Sequence, residues 1–406
     1  MSILAQCGYG RGDKVEQGLD EGIIEGAIMS PRDEGRDRLE QTINEWGSGY
    51  PDAVILFDPQ FYAARLNAPR DGHLSEYEYY SNASGLGRTH FSGTRIRRYV
   101  RECLNYQHTT FNDNLAYLIS PTILFDSFSD SWSQIALNMA VESADYHATE
   151  LEEPQPLLLS IVASETAFQT MEAMEEFLDA LTELDVDGFY LIIRRNATSL
   201  QNAMEAESFG RLLYFCYVLA EINEYKVIVG YSDWQSFLAE AAGVVHTACG
   251  WYQNLRQFSL ARFLPPRGGR RPRKRYSSAP LLSCPLITPE LQDIYLADLL
   301  LHILSGSPYD DILANRPNGP SSGEAGWSEE VSSLAHWLSL SAVSQRIEEQ
   351  ANMAERIQEA ERIIQNAQTL YRQLENQGVS FDPQTGPDHI AEWQLSIREL
   401  RSILGT

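Results

Sequence analysis

Eight short apolar runs, spread over the first 250 or so residues and separated by longer stretches of helical period, constrain this chain more than any single motif. They fall at 3–7, 23–29, 53–57, 116–120 or the nearby 123–125, 157–162, 188–193, 226–229 and 244–247. Helical segments are predicted between them around 33–46, 92–106, 130–148, 170–183, 200–223 and 233–241, with a very short first crossover near 13–20. Strand-length runs alternating with segments of 3.6-residue period signal parallel βαβ units. Eight such units predict an α/β fold, a closed (β/α)8 TIM-like barrel over residues 1–252; a doubly wound open sheet is the alternative.

The charge is unevenly placed. The chain has 31 basic and 56 acidic residues, a formal net charge of −25. From 241 to 289 there is no acidic residue, yet Arg256, Arg262, Arg267, Arg270, Arg271, Arg273, Lys274 and Arg275 lie there. The remaining 23 basic residues face all 56 acidic ones, so an acidic body carries one basic segment. The stretch P-P-R-G-G-R-R-P-R-K-R-Y holds too much Pro and Gly for a helix and reads as an extended, mobile arm within 253–288. Such an arm suits RNA or DNA phosphates, with Tyr252, Phe258, Phe263 and Tyr276 as stacking surfaces. Docking on the chain's own acidic body, or on a neighbouring subunit's, is the other reading.

Downstream, 289–305 is helical and apolar, and a Gly/Pro/Ser-rich linker at 306–327 marks a boundary, so 289–327 reads as helix and linker. In 328–406, Ile357, Ala360, Ile364, Ala367, Tyr371 and Leu374, then Ile390, Trp393, Ile397, Leu400 and Leu404, recur at 3/4 spacing about a Gly378–Pro387 break. This predicts an antiparallel helical hairpin appended to the barrel, docked on it, on a second subunit in a homo-oligomer, or on a protein partner. The five cysteines, at 7, 103, 216, 249 and 284, form no C-x-x-C pair or Cys/His cluster, so neither a metal, a cofactor nor a disulfide framework is expected. No run reaches the roughly 18 apolar residues of a spanning helix, and the N-terminus lacks a basic leader, so the expected setting is a reducing cytoplasm with no membrane partner.

In a barrel of this type, chemistry gathers on the loops after the strands' C-terminal ends. Those positions are polar here: Gln6 and Cys7, Ser30 and Arg32, Asp58 and Gln60, Asp126, Ser164 and Glu165, Arg194 and Arg195, Tyr231 and Asp233, Cys249 and Trp251. Asp58 and Asp126 each close an apolar run in a Phe-Asp dipeptide, so two carboxylates in one mouth suit general-base work and recognition of a nucleobase edge. The competing reading makes each a helix or loop cap, and Glu165 is open to the same two readings. Candidate catalytic groups are therefore Asp58, Asp126 and Glu165. Candidate substrate-binding groups are Gln60, Arg194, Arg195, Cys249 and Trp251; of the two adjacent arginines, only one can face the mouth. The loop G-Y-G-R-G at 8–12 follows a strand but lacks the complete phosphate-binding fingerprints.

V-I-L-F-D-P-Q-F at 54–61, I-L-F-D at 123–126, L-D-V-D-G-F-Y at 184–190, K-V-I-V-G at 226–230 and G-V-V-H-T-A-C at 243–249 together resemble, remotely, the strand motifs of the tRNA-guanine transglycosylase barrel. The resemblance spans 1–252 and implies that Asp58 is a general base and that Asp126 reads a base edge. The sequence also departs from that pattern. Ala248 stands where the family has its nucleophilic aspartate, Ala163-Ser164-Glu165 replaces a Gln-Gly-Gly segment, and the family's zinc motif is absent, leaving Cys284 alone. An alanine cannot form a glycosyl-enzyme bond. Two functions are therefore expected: a transglycosylase-like protein that handles a nucleobase in RNA or DNA, as a diverged glycosyltransferase if Glu165 or Asp126 substitutes, or a non-catalytic scaffold on the same barrel.

Overall fold

The strands come first because they set the frame: β1 Ile3–Gln6, β2 Gly26–Met29, β3 Val54–Phe57, β4 Leu118–Ile119, β5 Leu157–Ser164, β6 Gly188–Arg194, β7 Lys226–Gly230 and β8 His246–Cys249. A computed structural model describes residues 3–66, 72–80, 83–196, 204–264 and 273–405. All strand pairs are parallel and run in the order β3-β2-β1-β8-β7-β6-β5-β4. The barrel all but closes between β3 and β4, where the Ala116 N–H donates to Ile55 O at 3.0 Å. Helices cover the outer face, which is why β5 is buried at all eight positions and reads as an unbroken apolar run rather than an alternating one.

Every strand departs from its sequence-based bounds by a residue or more; β2 starts at Gly26 rather than 23 because the Ile23 and Ile24 N–H groups both close on Gly18 O, and two others depart for equally visible reasons. Both candidate runs for the fourth strand belong to one line: β4 pairs with β5, the chain leaves the ladder around Pro121, and Phe125 rejoins it by exchanging hydrogen bonds with Val162 and Ser164. The eighth strand lies two residues later than expected. Val244 N–H still closes the turn after the preceding helix, on Ala239 O, and pairing with β7 begins with Val245 N–H on Val227 O. Glycine begins β2 and β6 because the neighbouring strand leaves no room: a Cβ at Gly26 would lie 2.1 Å from Val54 O, and one at Gly188 only 1.9 Å from Lys226 O.

The helices are α1 Lys14–Asp20, α2 Arg36–Gly49, α3 Gly93–Phe111, α4 Ser131–Glu150, α5 Met171–Thr182, α6 Ala206–Tyr217 and α7 Ser236–Ala241, followed far downstream by α8 Glu329–Glu348, α9 Met353–Asn376 and α10 Asp388–Leu404. Asp130 caps α4 by accepting from Trp132 N and Ser133 N. The helix α8 packs against α1, α7 and β1, so it is the barrel's own eighth helix. Its Trp337 is fully buried and donates its indole N–H to Cys249 O at 2.8 Å, at the end of β8.

The barrel layer therefore extends past residue 252, and everything between β8 and α8 is an insertion at its C-terminal end. Within the insertion, residues 275–286 fold back as a small antiparallel hairpin, with Arg275 opposite Leu286 and Ser278 opposite Ser283. The C-terminal hairpin consists of α9 and α10, with α10 laid along α6 and α9 against α7, so its apolar stripes are covered by the barrel. Asn352 caps α9 after a break at 349–352, so 328–406 holds three helices rather than the two of the expected hairpin, the first of them part of the barrel wall.

The mobile-arm reading needs correction at its described ends. Arg262 is buried, and Arg273, Lys274 and Arg275 are bound to Asp382, Glu324 O and Cys284 O. Phe258, Phe263 and Tyr276 are buried and offer no stacking face, and the Tyr252 hydroxyl is spent on Glu329. Each side chain is worth more against the core than in water. Arg267, Arg270 and Arg271 lie outside the described residues.

This packing makes Trp337→Ala costly. Removing a buried tryptophan that also closes a hydrogen bond should destabilise the protein by about 3–5 kcal/mol. Leu301→Ala, at a side chain 80% exposed, should stay within about 0.5 kcal/mol of wild type. Urea unfolding of the two variants checks both; near-equal losses would contradict the placement of α8 in the barrel wall.

Candidate functional site

The C-terminal mouth of the barrel is filled by a buried polar network built from the loops after β2, β3, β7 and β8, with one residue each from β1 and β6. Asp58, one residue beyond β3, is fully enclosed; its Oδ2 accepts from the Tyr62 hydroxyl at 2.8 Å and its Oδ1 from Gln60 N at 3.0 Å. Gln60 sits in the left-handed region at φ 53°, a conformation that turns its side chain back across the mouth. Its Nε2 donates to Ser30 Oγ at 2.9 Å, and its Oε1 accepts from Arg32 N at 3.2 Å. Gln6, at the end of β1, accepts through Oε1 from Tyr231 N and from the Tyr190 hydroxyl, at 3.3 and 3.5 Å. Among the described residues the buried Gln6 Nε2 has no partner, an unmet donor of the kind a ligand or water commonly satisfies.

Arg262 completes the network from above. Carried on the short turn Leu260–Phe263, its side chain is 1% exposed. Its guanidinium pairs with Asp33, donates to the Tyr231 hydroxyl and lies 3.4 Å from Ser30 Oγ. Phe258 and Phe263 pack edge-on against Tyr62 beside it. Burial opposes the arginine's charge, but Tyr231 and Asp33 more than offset it and hold the guanidinium firmly protonated. Asp58 is different. Burial pushes its carboxyl up to about 6, only partly countered by the Tyr62 hydroxyl, Gln60 N–H and the charge of Arg262. Burial likewise raises the Tyr62 and Tyr190 hydroxyls well above the usual range. The mouth thus holds one carboxyl that changes charge near neutrality among phenols that do not.

The other sequence candidates lie in separate clusters. Asp126 is paired with Arg194 at 2.8 Å and with Arg65 at 3.8 Å, its side chain 48% exposed, and it caps no helix. Arg194 also donates to Ser164 Oγ. Glu165 spends both oxygens at the end of β6, one on Arg195 Nε and one on Asn196 N, each at 2.7 Å. Arg195 reaches on to Gln235. Trp251 donates to Tyr9 O and lies under Lys14, edge-on to Trp337, which ties the G-Y-G-R-G loop to the barrel. Asp126 and Glu165 therefore each lock a strand end by an arginine pair, while Asp58 alone of the three is in the buried network. Ala248 is buried in β8 beside Leu4, with no carboxylate in its place.

Cys249 opens a second group. Its Sγ lies 3.4 Å from His336 Nε2, and that nitrogen lies 3.0 Å from Asp233 Oδ1, an ion-pair distance without hydrogen-bond alignment. These three donor atoms sit within 4.8 Å of one another. The nearby Arg256 acts electrostatically on all three and opposes a divalent cation there. Nothing local in the sequence announced His336, although a helix that buries Leu334, Trp337 and Leu340 while also burying Ser333, His336 and Ser339 carried the signal. No protein-family model and no curated protein matches the chain.

The raised carboxyl of Asp58 makes stability pH-dependent in a definite direction. In the unfolded chain the group ionises in the usual carboxylate range, in the fold only near 6, so between those values the native state binds more protons and stability falls as pH rises. Asp58→Asn removes that cost. The variant should gain on wild type by a few kcal/mol between about pH 4 and pH 8, in urea unfolding at both values. A difference independent of pH would show that the buried carboxyl is ionised throughout.

Proposed function

We propose that the barrel mouth binds a nucleobase of RNA or DNA, with Asp58 exchanging a proton or hydrogen bond with the base edge. The observation that carries this reading is the enclosed Asp58 carboxyl, poised near 6 in the same buried network as the unpartnered Gln6 Nε2, the two joined through Tyr190. A base edge alternates donors and acceptors, and a carboxyl that titrates near neutrality can serve either role, next to an amide that already needs a partner. The resemblance of the strand motifs to the tRNA-guanine transglycosylase barrel supports the same ligand class. Ala248 argues against base exchange through a covalent glycosyl-enzyme, so the proposed activity is recognition, or a base modification without that intermediate. Base entry requires the Leu260–Phe263 turn to leave the mouth, and Arg267, Arg270 and Arg271 follow that turn in sequence, suited to the phosphates of the same nucleic acid.

One observation favours the scaffold alternative: Arg262, Phe258 and Phe263 already fill the mouth. Titration calorimetry with free purine and pyrimidine bases and with short single-stranded RNA and DNA separates the two. Asp58→Asn should weaken base binding at least about tenfold, the scale of a hydrogen bond to a charged group. Replacing Arg267, Arg270 and Arg271 with Ser should leave free-base binding intact. It should also weaken oligonucleotide binding and flatten its salt dependence by about 0.7–0.9 per lost phosphate contact. No binding of any base by the wild-type protein would favour the scaffold.

A further inference from the structure

Beside the mouth, and independent of it, a narrow cleft with room for little more than a small molecule runs between the ends of β6 and β7, the 275–286 hairpin and α10. Arg195, Arg256, Arg275, Gln235 and Gln384 line it, and Cys284 faces it. Cys284 is the one cysteine of the five that is partly exposed. Its Sγ accepts from the Trp234 indole N–H at 3.3 Å and from Arg256 Nη1 at 3.8 Å. On the other side, Ser277 Oγ stands 3.7 Å from Sγ and 2.8 Å from His336 Nδ1, while Sγ itself is 3.9 Å from Nδ1. His336 is buried and presents its other nitrogen to Asp233 at 3.0 Å. Nucleophile, base and orienting carboxylate thus stand in line, the order that activates a thiol.

We propose that Cys284 is a nucleophilic thiolate, served by His336 as its base and held by Trp234 and Arg256, that attacks an electrophilic carbon in small anionic compounds drawn into the cleft by its arginines. At rest the Cys284 proton already lies on His336 Nδ1, reached directly or through the Ser277 hydroxyl, so the pair stands as thiolate and imidazolium. A Sγ–C bond forms with the sulfur's electron pair, and the bond from that carbon to its leaving group breaks. The leaving group departs with the pair and takes the proton from His336, so that Cys–SH and R–X give Cys–S–R and HX. Asp233 steadies the imidazolium, and Arg256 and Arg275 set the preference for a negative ligand, Arg195 being paired with Glu165.

The electrostatics agree. Burial alone would raise the Cys284 thiol, but the hydrogen bond and charge of His336, with the charge of Arg256, bring it down to about 7. Burial and Arg256 press His336 toward neutrality, and Cys249 and Asp233 overcome them, so it stays protonated. The other four thiols are buried and pushed upward by burial. A low-pKa thiol reachable from solvent is the one that reacts.

Alkylation of the full-length protein with iodoacetate and with iodoacetamide across pH 5–10, read site by site by peptide mass spectrometry, tests this. Cys284 should react first, with a midpoint near 7, and its preference for iodoacetate over iodoacetamide should exceed that of free cysteine by about tenfold. Arg275→Gln should reduce that preference without moving the midpoint to the ordinary cysteine range. His336→Gln should raise the midpoint by at least about one pH unit. Should that buried variant not fold, the wild-type profile decides alone. A Cys284 midpoint above 8, no preference for the anionic reagent, or a thiol that reacts only after a chelator strips a metal from it would each overturn the proposal.

Discussion

A guanidinium buried at the centre of a barrel mouth must be neutralised by its surroundings, because an unpaired charge there would cost several kcal/mol. Arg262 meets that demand with Asp33, Tyr231 and Ser30, drawn from the loops after β2 and β7. The pairing fixes where the chain goes after β8: the turn that carries Arg262 is pulled across the mouth, Phe258 and Phe263 follow against Tyr62, and the insertion is seated over the barrel's end. Tyr231 is thereby held beside Gln60, and the cation acts on Asp58 from a fixed place. The polar mouth rests on this one anchor.

The barrel was legible because its signal is periodic and repeated. A run such as Leu157–Ser164, apolar at nearly every position, has few readings other than a strand covered on both sides. The ladder edges were less so, since Val244 and Val245 have the composition of a strand and only the hydrogen bond of Val244 to Ala239 assigns the first to a turn. The eighth helix was hidden for a different reason. An insertion separates it from its strand, so adjacency in sequence no longer reports adjacency in space, and Trp337 against Cys249 is a contact that no spacing rule reveals.

The site shows the same division. Asp58 and Gln60 stood out because a polar residue directly after a buried strand has few places to go except the mouth. Asp126 and Glu165 satisfied the same rule and yet are held in arginine pairs with Arg194 and Arg195 at the rim, because the two arginines closing β6 offered nearer partners than the mouth did. Arg262 was read as part of a basic arm, since charge counting along a chain cannot register a partner as distant in sequence as Asp33. His336 and Cys284 meet through the fold alone.

The proposed role of the mouth depends on the protonation behaviour of a single enclosed carboxyl, that of Asp58. Infrared difference spectroscopy between wild type and Asp58→Asn, scanned from pH 4 to pH 8 with and without a nucleobase, observes that carboxyl directly. A protonated carbonyl band should be present at low pH, disappear with a midpoint near 6 and shift when the base is added. A band absent at every pH above the ordinary carboxylate range, and unmoved by any base, would contradict that role.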